Sequence, residues 1–215
     1  MSSWDLLEGG QALLAAVHDG ATVAFRDGAT LADPHVDAEL EQAGPSLALA
    51  GPPPLAGELT ACRAAGALIA GEEKTAFDAP ALRWQGESGA AGTTRSIAIL
   101  LEDGELVVVR THGPDGTTHG DEERVGAFTR GRKGQIDVAE VLLSTEYGAD
   151  GLQRRATLEL WPQGDDDDEM PCRGAGTALC TATHEADGIR RSVAFFAWSV
   201  GGRAGLGRYE IARPA

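Results

Sequence analysis

The stretch Ser96–Arg110, SIAILLEDGELVVVR, decides the fold of this 215-residue chain. Two apolar runs flank Asp103-Gly104. Asp-Gly suits the tight turn between antiparallel strands, because Asp tolerates a positive φ and Gly adopts it freely. The stretch therefore predicts a β-hairpin. Ile97–Leu101 and Leu106–Val109 are apolar at every position, which is typical of strands that are covered on both faces.

The same turn signal recurs along the chain. Asp-Gly occurs six times, and Asp150-Gly151 and Asp187-Gly188 also lie between strand-like runs. These runs predict about seven antiparallel strands after residue 95, with no helix between them. The predicted strands are Ser96–Leu101, Glu105–Arg110, Val141–Tyr147, Gln153–Trp161, Gly176–His184, Ile189–Val200 and Gly207–Arg213. Regular meander spacing favours an up-and-down barrel or half-barrel, or a sandwich.

The first part of the chain predicts a different structure. Ser3–Val17 has the apolar set of a short helix behind a serine cap. Asp33-Pro34 has the residues of an N-cap and a first helical position, and it opens a second helix to about Gln42. We therefore predict a helical N-terminal segment over residues 1–45.

The remaining residues, 46–215, are predicted to form one antiparallel β domain, with the clearest pattern in residues 95–213. Periodicity does not distinguish strand from helix in Leu59–Ala70, where we favour irregular strands.

Composition and charge exclude several classes of protein. The chain has 18 Lys and Arg residues against 33 Asp and Glu residues, which gives a net charge of -15. This charge excludes binding to the phosphate backbone of a nucleic acid. No apolar run approaches the roughly 18 residues that cross a bilayer, and no signal peptide is visible. Three cysteines fit a reducing cytoplasm. We expect a cytoplasmic protein with no nucleic-acid partner and no membrane span, and a homo-oligomer stays open.

Two groups of residues resemble metal ligands only superficially. Asp165–Glu169 is a run of acids between two strands, and like charges in a block repel each other and solvate. A solvated loop is therefore the better interpretation of that run than a Mg²⁺ site. Cys172, Cys180 and His184 lack the close spacing of a structural zinc site. No metal site is predicted.

The loop candidate His112–Arg124 gathers the groups that proton transfer needs. Its second half, His119–Arg124, places one imidazole, three carboxylates and one guanidinium close together in sequence. A histidine beside carboxylates can exchange a proton near neutral pH. The alternative is a polar loop that is held by its own hydrogen bonds and salt bridges.

Three segments in order carry a family resemblance: Arg110–Glu123, then Leu143–Tyr147 with Gly151–Trp161, then Gly202–Glu210. Together they resemble the lipocalin-like superfamily that contains the carotenoid hydratases (hydroxyneurosporene synthases) and related terpenoid-tailoring proteins. Fungal decalin-forming Diels–Alder cyclases share that architecture. The pattern G-R-x-G-x-G-x-x-E at the end is the most specific piece of a resemblance that covers residues 95–213.

Members of that superfamily usually carry two lipocalin-like halves, and 215 residues cannot hold two full ones. The first 95 residues are therefore either a reduced first half or an unrelated segment. The resemblance implies an antiparallel, up-and-down, lipocalin-like barrel or half-barrel with an apolar pocket. It implies hydration, cyclisation or isomerisation of a terpenoid, polyene or polyketide without a cofactor.

Such chemistry requires a dry cavity and a well-placed acid. The candidate catalytic residues are His119, Asp121, Glu122, Glu146 and Glu210, with Glu159 as a further acid. The aromatic side chains that would line the pocket or fill the core include Trp84, Tyr147, Trp161, Phe196, Trp198 and Tyr209.

Strand alternation bears on Glu210. Tyr209 and Ile211 face one way, whereas Glu210 faces the other way with Arg208. If Tyr209 faces the core, Glu210 is expected to be solvated or paired with an arginine.

The leading hypothesis is a cofactor-independent tailoring enzyme that acts by acid–base catalysis on a hydrophobic terpenoid or polyketide in a β-barrel pocket. The alternative is a non-catalytic binding or carrier protein for a hydrophobic small molecule. A third hypothesis is a structural or interaction module. A barrel interior packed with side chains and without a cavity would argue against both ligand-based hypotheses.

Overall fold

The computed structural model describes residues 2–8, 13–18, 21–86, 91–164 and 170–215. Over these ranges the chain is antiparallel β-structure, and its only helical element there is the 3-10 turn Gly131–Lys133. None of the described ranges contains a helix with the length and apolar character to span a membrane. The run Asp165–Glu169 lies outside the described residues.

The strands form two sheets. The first sheet contains β1 Ser2–Leu7, β2 Leu13–His18, β3 Ala21–Arg26, β4 Ala29–Thr30, β5 Pro34–Leu49, β6 Gly57–Ala70 and β7 Glu73–Gly86. The second contains β8 Thr93–Leu101, β9 Leu106–Gly113, β10 Glu123–Thr129, β11 Gln135–Tyr147, β12 Gln153–Pro162, β13 Cys172–Ala186, β14 Ile189–Val200 and β15 Arg203–Pro214.

The second sheet closes into an eight-stranded barrel in the order β10-β11-β12-β13-β14-β15-β8-β9. The predicted antiparallel, up-and-down barrel is thereby confirmed. Seven of the eight strands were predicted from the sequence. The eighth, β10, continues directly from the loop before it, and no Asp-Gly turn marks its start.

Side chains fill the barrel interior. Phe196 stacks on Trp198 with ring centroids 5.3 Å apart, and Tyr209 lies tilted against Phe196 at 5.9 Å. Around them pack aliphatic and aromatic residues of the other strands, including Ile97, Ile99, Val107, Val109, Phe128, Leu158 and Leu160. Eight strands give an interior that side chains just fill.

The first sheet is open, in the order β4-β3-β2-β1-β7-β6-β5. It curls, because β3 and β5 contact each other although they lie near opposite edges. Its inner face holds an apolar cluster of its own, which includes Leu6, Leu13, Ala15, Ala24, Leu68, Phe77 and Ala81.

The outer face of the first sheet packs on the outer wall of the barrel. Phe25 meets Phe195 edge-on with ring centroids 6.0 Å apart. Leu7, Leu14 and Leu82 join the same cluster as Val108 and Val193 of the barrel. Barrel strands β8, β9 and β14 are therefore covered on both faces, as their continuous apolar runs indicated.

The helices predicted over residues 1–45 are wrong. Ser3–Val17 contributes β1 and β2, and the chain after Asp33 enters the long strand β5. Asp33 itself has φ 45, a turn conformation and not that of a helix N-cap. Adjacent apolar pairs such as Leu6-Leu7 fit a strand that is buried on both faces as well as they fit a helix.

In contrast to the helices, the strand structure predicted over Leu59–Ala70 is confirmed. Leu59–Ala70 is extended throughout, within β6. The sheets divide between residues 86 and 93, and a domain boundary at 45–46 stays a prediction.

Candidate functional site

A cavity of about 210 Å³ lies between the first sheet and the barrel wall. Strands β1, β2 and β7 form one side of it, and β8, β9, β14 and β15 form the other. Its lining is rich in polar and charged side chains and includes Ser3, His18, Trp84, Thr94, Ser96, Arg110, Asp187, Arg191, Arg208, Glu210 and Arg213.

Strand alternation places the charged groups of this cavity. On β15, Tyr209 points into the barrel, so Arg208 and Glu210 point outward. The first sheet covers that outer wall, and Glu210 is only 6% exposed. On β2, His18 follows Leu14 and Ala16 on the face that meets the barrel.

Glu210 is the centre of a buried ionic network. Its Oε2 lies 2.5 Å from His18 Nε2 and accepts a 3.0 Å hydrogen bond from Arg208 Nη1. Arg191 Nε lies 3.8 Å from Glu210 Oε1. Arg208 also contacts His18 Nε2, and its Nε lies 3.2 Å from Asp5 Oδ1. The first sheet and the barrel are therefore joined by charged pairs at this end of their interface.

The two carboxyl groups of the network respond differently to burial. Burial alone would raise the pKa of Glu210, but the charges of His18 and Arg208 outweigh it and hold that pKa well below its usual range. Burial dominates at Asp5 and raises the pKa of that carboxyl to about 6, against the attraction of Arg208. Glu210 is therefore the permanent carboxylate, and Asp5 is the carboxyl group that titrates closer to neutrality.

Arg110 occupies the same cavity with fewer partners. It is 6% exposed, and its guanidinium carbon lies 4.3 Å from the ring centroid of Trp84. Its one hydrogen bond runs from Nη1 to Ser96 Oγ at 3.5 Å. Within the described ranges no carboxylate forms an ion pair with Arg110. Burial lowers its pKa to about 10, so it stays protonated at neutral pH.

One nitrogen of His18 is also without a partner. Nδ1 is buried and makes no hydrogen bond to any described residue, while Nε2 is held at Glu210. A carboxylate that orients one imidazole nitrogen leaves the other to exchange a proton with a bound molecule. The cavity thus combines an oriented imidazole, an unpaired guanidinium and the indole of Trp84.

A second polar cluster lies at one end of the barrel interior, around Glu122. Arg95 Nε donates to Glu122 Oε1 at 2.9 Å. Thr111 Oγ1 and His119 Nδ1 lie 2.8 and 2.9 Å from Oε2. Burial alone would raise the pKa of Glu122, but these contacts outweigh it and lower that pKa.

Two tyrosines belong to this second cluster. Arg95 Nη1 donates to Tyr147 Oη at 2.9 Å, and the Tyr209 and Thr145 hydroxyls are 2.8 Å apart. Burial raises the pKa of Tyr209 to about 12. Both oxygens of Glu122 have protein donors, but His119 Nε2 is buried and, like His18 Nδ1, has no hydrogen-bond partner among the described residues. The cluster closes this end of the barrel and also holds a second imidazole that a carboxylate orients.

The structure separates the predicted site residues into groups, and their catalytic and binding roles stay predictions. It brings His119, Glu122, Tyr147 and Tyr209 together at the barrel end. Glu210 and Trp84 lie at the cavity, and Phe196 and Trp198 lie inside the barrel.

The remaining predicted residues lie near the surface and apart from both clusters. Asp121 accepts a 2.6 Å hydrogen bond from Thr118, and Glu146 is exposed on β11. Trp161 is 37% exposed, and Glu159 pairs with Arg173 at 3.0 Å.

Sequence reasoning missed most charged residues of the cavity, namely His18, Arg110, Arg191 and Arg208, and also Asp5 of the adjoining ionic network. The available signal was a charged side chain inside an apolar strand, as in Trp4-Asp5-Leu6-Leu7. Within the described part of the chain, no group of His, Cys, Asp and Glu side chains has the arrangement of a metal site.

No protein-family model matches the chain, and no curated protein matches it by sequence. Solved structures do resemble it. An AttH-like protein from Nitrosomonas europaea has a TM-score of 0.54 at 11% identity, over 97% of this chain and 67% of that one. CghA with Sch210972 has a TM-score of 0.55 at 11% identity, over 100% of this chain and 88% of that one.

Kievitone hydratase from Nectria haematococca has a TM-score of 0.49 at 9% identity, over 94% of this chain and 64% of that one. Identities this low show the fold alone. The chain shares a lipocalin-like architecture with the AttH-like protein and CghA. In this chain it consists of a closed eight-stranded barrel beside a curled antiparallel sheet.

Proposed function

We propose that the chain is a cofactor-independent acid–base enzyme that acts on a hydrophobic small molecule in the cavity between its two sheets. His18 transfers the proton, and Glu210 orients the imidazole. The observation that carries the proposal is the buried 2.5 Å contact between His18 Nε2 and Glu210 Oε2 in the lining of that cavity.

The electrostatics favour this pairing. A buried carboxylate beside an imidazole stabilises the imidazolium that forms when the ring accepts a proton. The low pKa of Glu210 keeps its carboxylate charged through that step. Because both side chains are at most 7% exposed, bulk water does not compete for the pair.

The size of the cavity limits how much of a substrate it encloses. A cavity of about 150 Å³ accommodates benzene. The 210 Å³ of this cavity therefore accommodates one ring-sized portion of a larger molecule. The exposed turn Asp187-Gly188 forms part of the lining. The rest of the substrate would extend from the cavity into solvent beside this turn.

The proposal shifts the predicted pocket from the barrel interior to the barrel wall. The interior is packed with side chains such as Phe196 and Trp198, which argues against a ligand inside the barrel under both ligand-based hypotheses. The cavity outside the barrel wall is therefore the basis of the ligand-based proposal. The resemblance of residues 95–213 to terpenoid-tailoring proteins supports the reaction class, which is hydration, cyclisation or isomerisation. These reactions need only proton transfer and a shaped cavity.

Metabolite profiles of the organism that carries the gene test the proposal. The wild-type gene is replaced by variants with His18→Ala or Glu210→Gln, and extracts are compared by mass spectrometry. We expect a precursor to accumulate in both variants. Its mass equals that of the lost product for cyclisation or isomerisation, and it is one water lighter for hydration.

Two further variants make the experiment specific. Glu159→Gln, in an outward-facing ion pair with Arg173, is the matched control and leaves the profile unchanged. His119→Ala tests the barrel-end cluster by the same readout. Profiles that respond to His119→Ala and not to His18→Ala would move the reaction to the barrel end.

In the non-catalytic alternative, the ligand occupies the same cavity. Glu210 already pairs with Arg208 and Arg191, which is consistent with a structural role for that carboxylate. A carrier would yield ligand that is chemically unchanged after long incubation with the purified protein. In that case His18→Ala changes how much ligand is bound and produces no precursor.

A further inference from the structure

We infer that the molecule bound in this cavity carries a carboxylate, and that Arg110 and Arg191 bind it. The inference rests on the proposed function only for the location of the ligand, and it adds the chemical class of the group that the cavity recognises.

The charges around the cavity do not balance. Four arginines line it, namely Arg110, Arg191, Arg208 and the exposed Arg213, whereas its lining holds two carboxylates, Glu210 and the exposed Asp187. Glu210 is engaged by His18 and Arg208 and lies 3.8 Å from Arg191. Asp5, just outside the lining, pairs with Arg208. Glu210 attracts the charge of Arg110, but none of these acids forms an ion pair with it.

Among the buried arginines of the lining, Arg110 is the one whose charge has no ion pair with a described carboxylate. A buried charge without a partner is strongly unfavourable, and proteins normally pair it. Its Nε is buried and has no hydrogen-bond partner among the described residues. The guanidinium carbon lies over the Trp84 ring at 4.3 Å from its centroid, and this cation–π contact supplies no hydrogen-bond acceptor to the N–H groups. A carboxylate matches the planar guanidinium with two parallel hydrogen bonds.

Arg191 adds a second guanidinium from another strand. It is 7% exposed, and its Nε lies 3.8 Å from Glu210, beyond hydrogen-bond distance. The same Nε has no hydrogen-bond partner within the described ranges. Because β9 supplies Arg110 and β14 supplies Arg191, a bound carboxylate would be held from two elements of the barrel wall.

This cationic lining contrasts with the charge of the whole chain, which is -15. The overall field repels anions at a distance, so anion binding here depends on short-range contacts inside the cavity. Trp84 and the apolar surroundings would hold the non-polar part of the same molecule.

Calorimetric titration of the full-length protein tests the inference with two matched probes, 3-phenylpropionate and its uncharged amide, 3-phenylpropionamide. The two differ in the charged group and share the ring and the spacer. We expect the carboxylate to bind about tenfold more tightly than the amide, which is the contribution of one charged hydrogen-bonded pair.

Substitutions assign the preference to residues. Arg110→Met keeps the length of the side chain and removes the charge, and it should abolish the preference for the carboxylate. Arg110→Lys keeps the charge and should retain part of the preference, which guards against a general folding defect. Arg173→Met, in an outward-facing ion pair, is the control and should bind both probes as the wild type does.

Equal affinity of the wild type for the two probes would overturn the inference, and so would the absence of carboxylate binding. A carboxylate preference that survives Arg110→Met would overturn the assignment to Arg110. The proposed function can fail separately: binding can prefer the carboxylate while His18→Ala leaves metabolites unchanged. Loss of metabolites in His18→Ala without any carboxylate preference would leave only the proposed function standing.

Discussion

Residues 208–210 show how alternation on one strand serves two cores. Tyr209 lies fully buried in the barrel, while Arg208 and Glu210 lie buried against the first sheet. The sequence alone predicted that Glu210 faces away from Tyr209 and is either solvated or paired with an arginine, and the structure shows the pair. The sequence could not predict the burial of Glu210, because the covering sheet comes from strands at the other end of the chain.

The pairing of Glu210 with His18 was unpredictable for the same reason. His18 and Arg208 are 190 residues apart in sequence, and no local spacing links them. By contrast, the grouping of His119 with Glu122 was visible, because these residues are three apart and lie in one loop. A cluster of residues that are close in sequence can be predicted from the sequence, whereas a cluster that forms across the interface between two sheets cannot.

Asp5→Asn should change the pH dependence of stability. Burial raises the pKa of Asp5 from 3.8 to about 6 in the folded protein. The folded state thus holds this proton more tightly, so stability from this group is present below pH 3.8 and declines as pH rises towards 6. The variant has no such proton. Relative to the wild type, its free energy of unfolding should rise between pH 4 and pH 7.

Urea unfolding at pH 4.5 and pH 7 measures this difference. Asp115→Asn, on an exposed turn, is the control and should give the wild-type slope. Parallel pH profiles of Asp5→Asn and the wild type would show that Asp5 is not perturbed by burial.

Glu122→Gln should have the opposite sign. The pKa of Glu122 is lowered below its ordinary value of 4.5, so its stabilisation is present above pH 4.5 and is lost as pH falls through the folded value. At pH 7 the variant leaves Arg95 and His119 without a charged acceptor and should lose about 1–3 kcal/mol. The deficit should shrink in unfolding measurements from pH 5 to pH 3, and a constant deficit would contradict the charge-based account.

At the scale of elements, the barrel strands were predictable and the first sheet was not. Asp-Gly turns mark the hairpins β8–β9, β11–β12 and β13–β14. In β1 and β2, adjacent leucines face two different cores, so the pattern lacks the alternation that identifies a half-buried strand. Burial on both faces, which comes from tertiary packing, made a strand resemble a helix.

Gly207 on β15 controls the closure of the barrel. It pairs with Ile99 on β8, and a Cβ at this position would collide with the backbone oxygen of Ala98 and lie 2.7 Å from Ile99 Cα. Because backbone atoms cannot move aside, Gly207→Ala should destabilise the protein by about 3 kcal/mol. Urea unfolding measures the loss.

Gly120→Ala is the control for that substitution, since a Cβ there meets nothing within 4 Å. Its free energy of unfolding should stay within about 0.5 kcal/mol of the wild type. Similar effects of the two alanine substitutions would mean that the β15–β8 seam is not closely packed.

At the scale of the whole molecule, the barrel and the first sheet form one packed unit. Their shared cluster joins Leu7, Leu14 and Phe25 to Val108 and Phe195. The first sheet therefore covers apolar barrel wall that would otherwise meet water. The N-terminal residues form seven antiparallel strands, and whether they are a reduced first half or an unrelated segment stays open.

A double-mutant cycle on Phe25→Ala and Phe195→Ala measures the energetic coupling between the first sheet and the barrel. The rings are 6.0 Å apart in an edge arrangement, and such pairs are coupled by about 0.5–1.5 kcal/mol beyond their area. Unfolding in urea should give a coupling energy in that range. Phe128→Ala, inside the barrel and in another cluster, should be additive with Phe25→Ala. Additive effects of Phe25→Ala and Phe195→Ala on the free energy of unfolding would show that other contacts hold the first sheet on the barrel.

The position of the ionic network has a consequence for biosynthesis. His18 belongs to an early strand, and Arg208 and Glu210 belong to the last strand, β15. On a ribosome, His18 emerges 190 residues before Arg208. A nascent chain that has not reached β15 lacks the pair and cannot carry out the proposed proton transfer. The same strand pairs with β8 to close the barrel and supplies Arg208 and Glu210 to the cavity. The proposed transfer therefore requires both the synthesis of β15 and its pairing with β8.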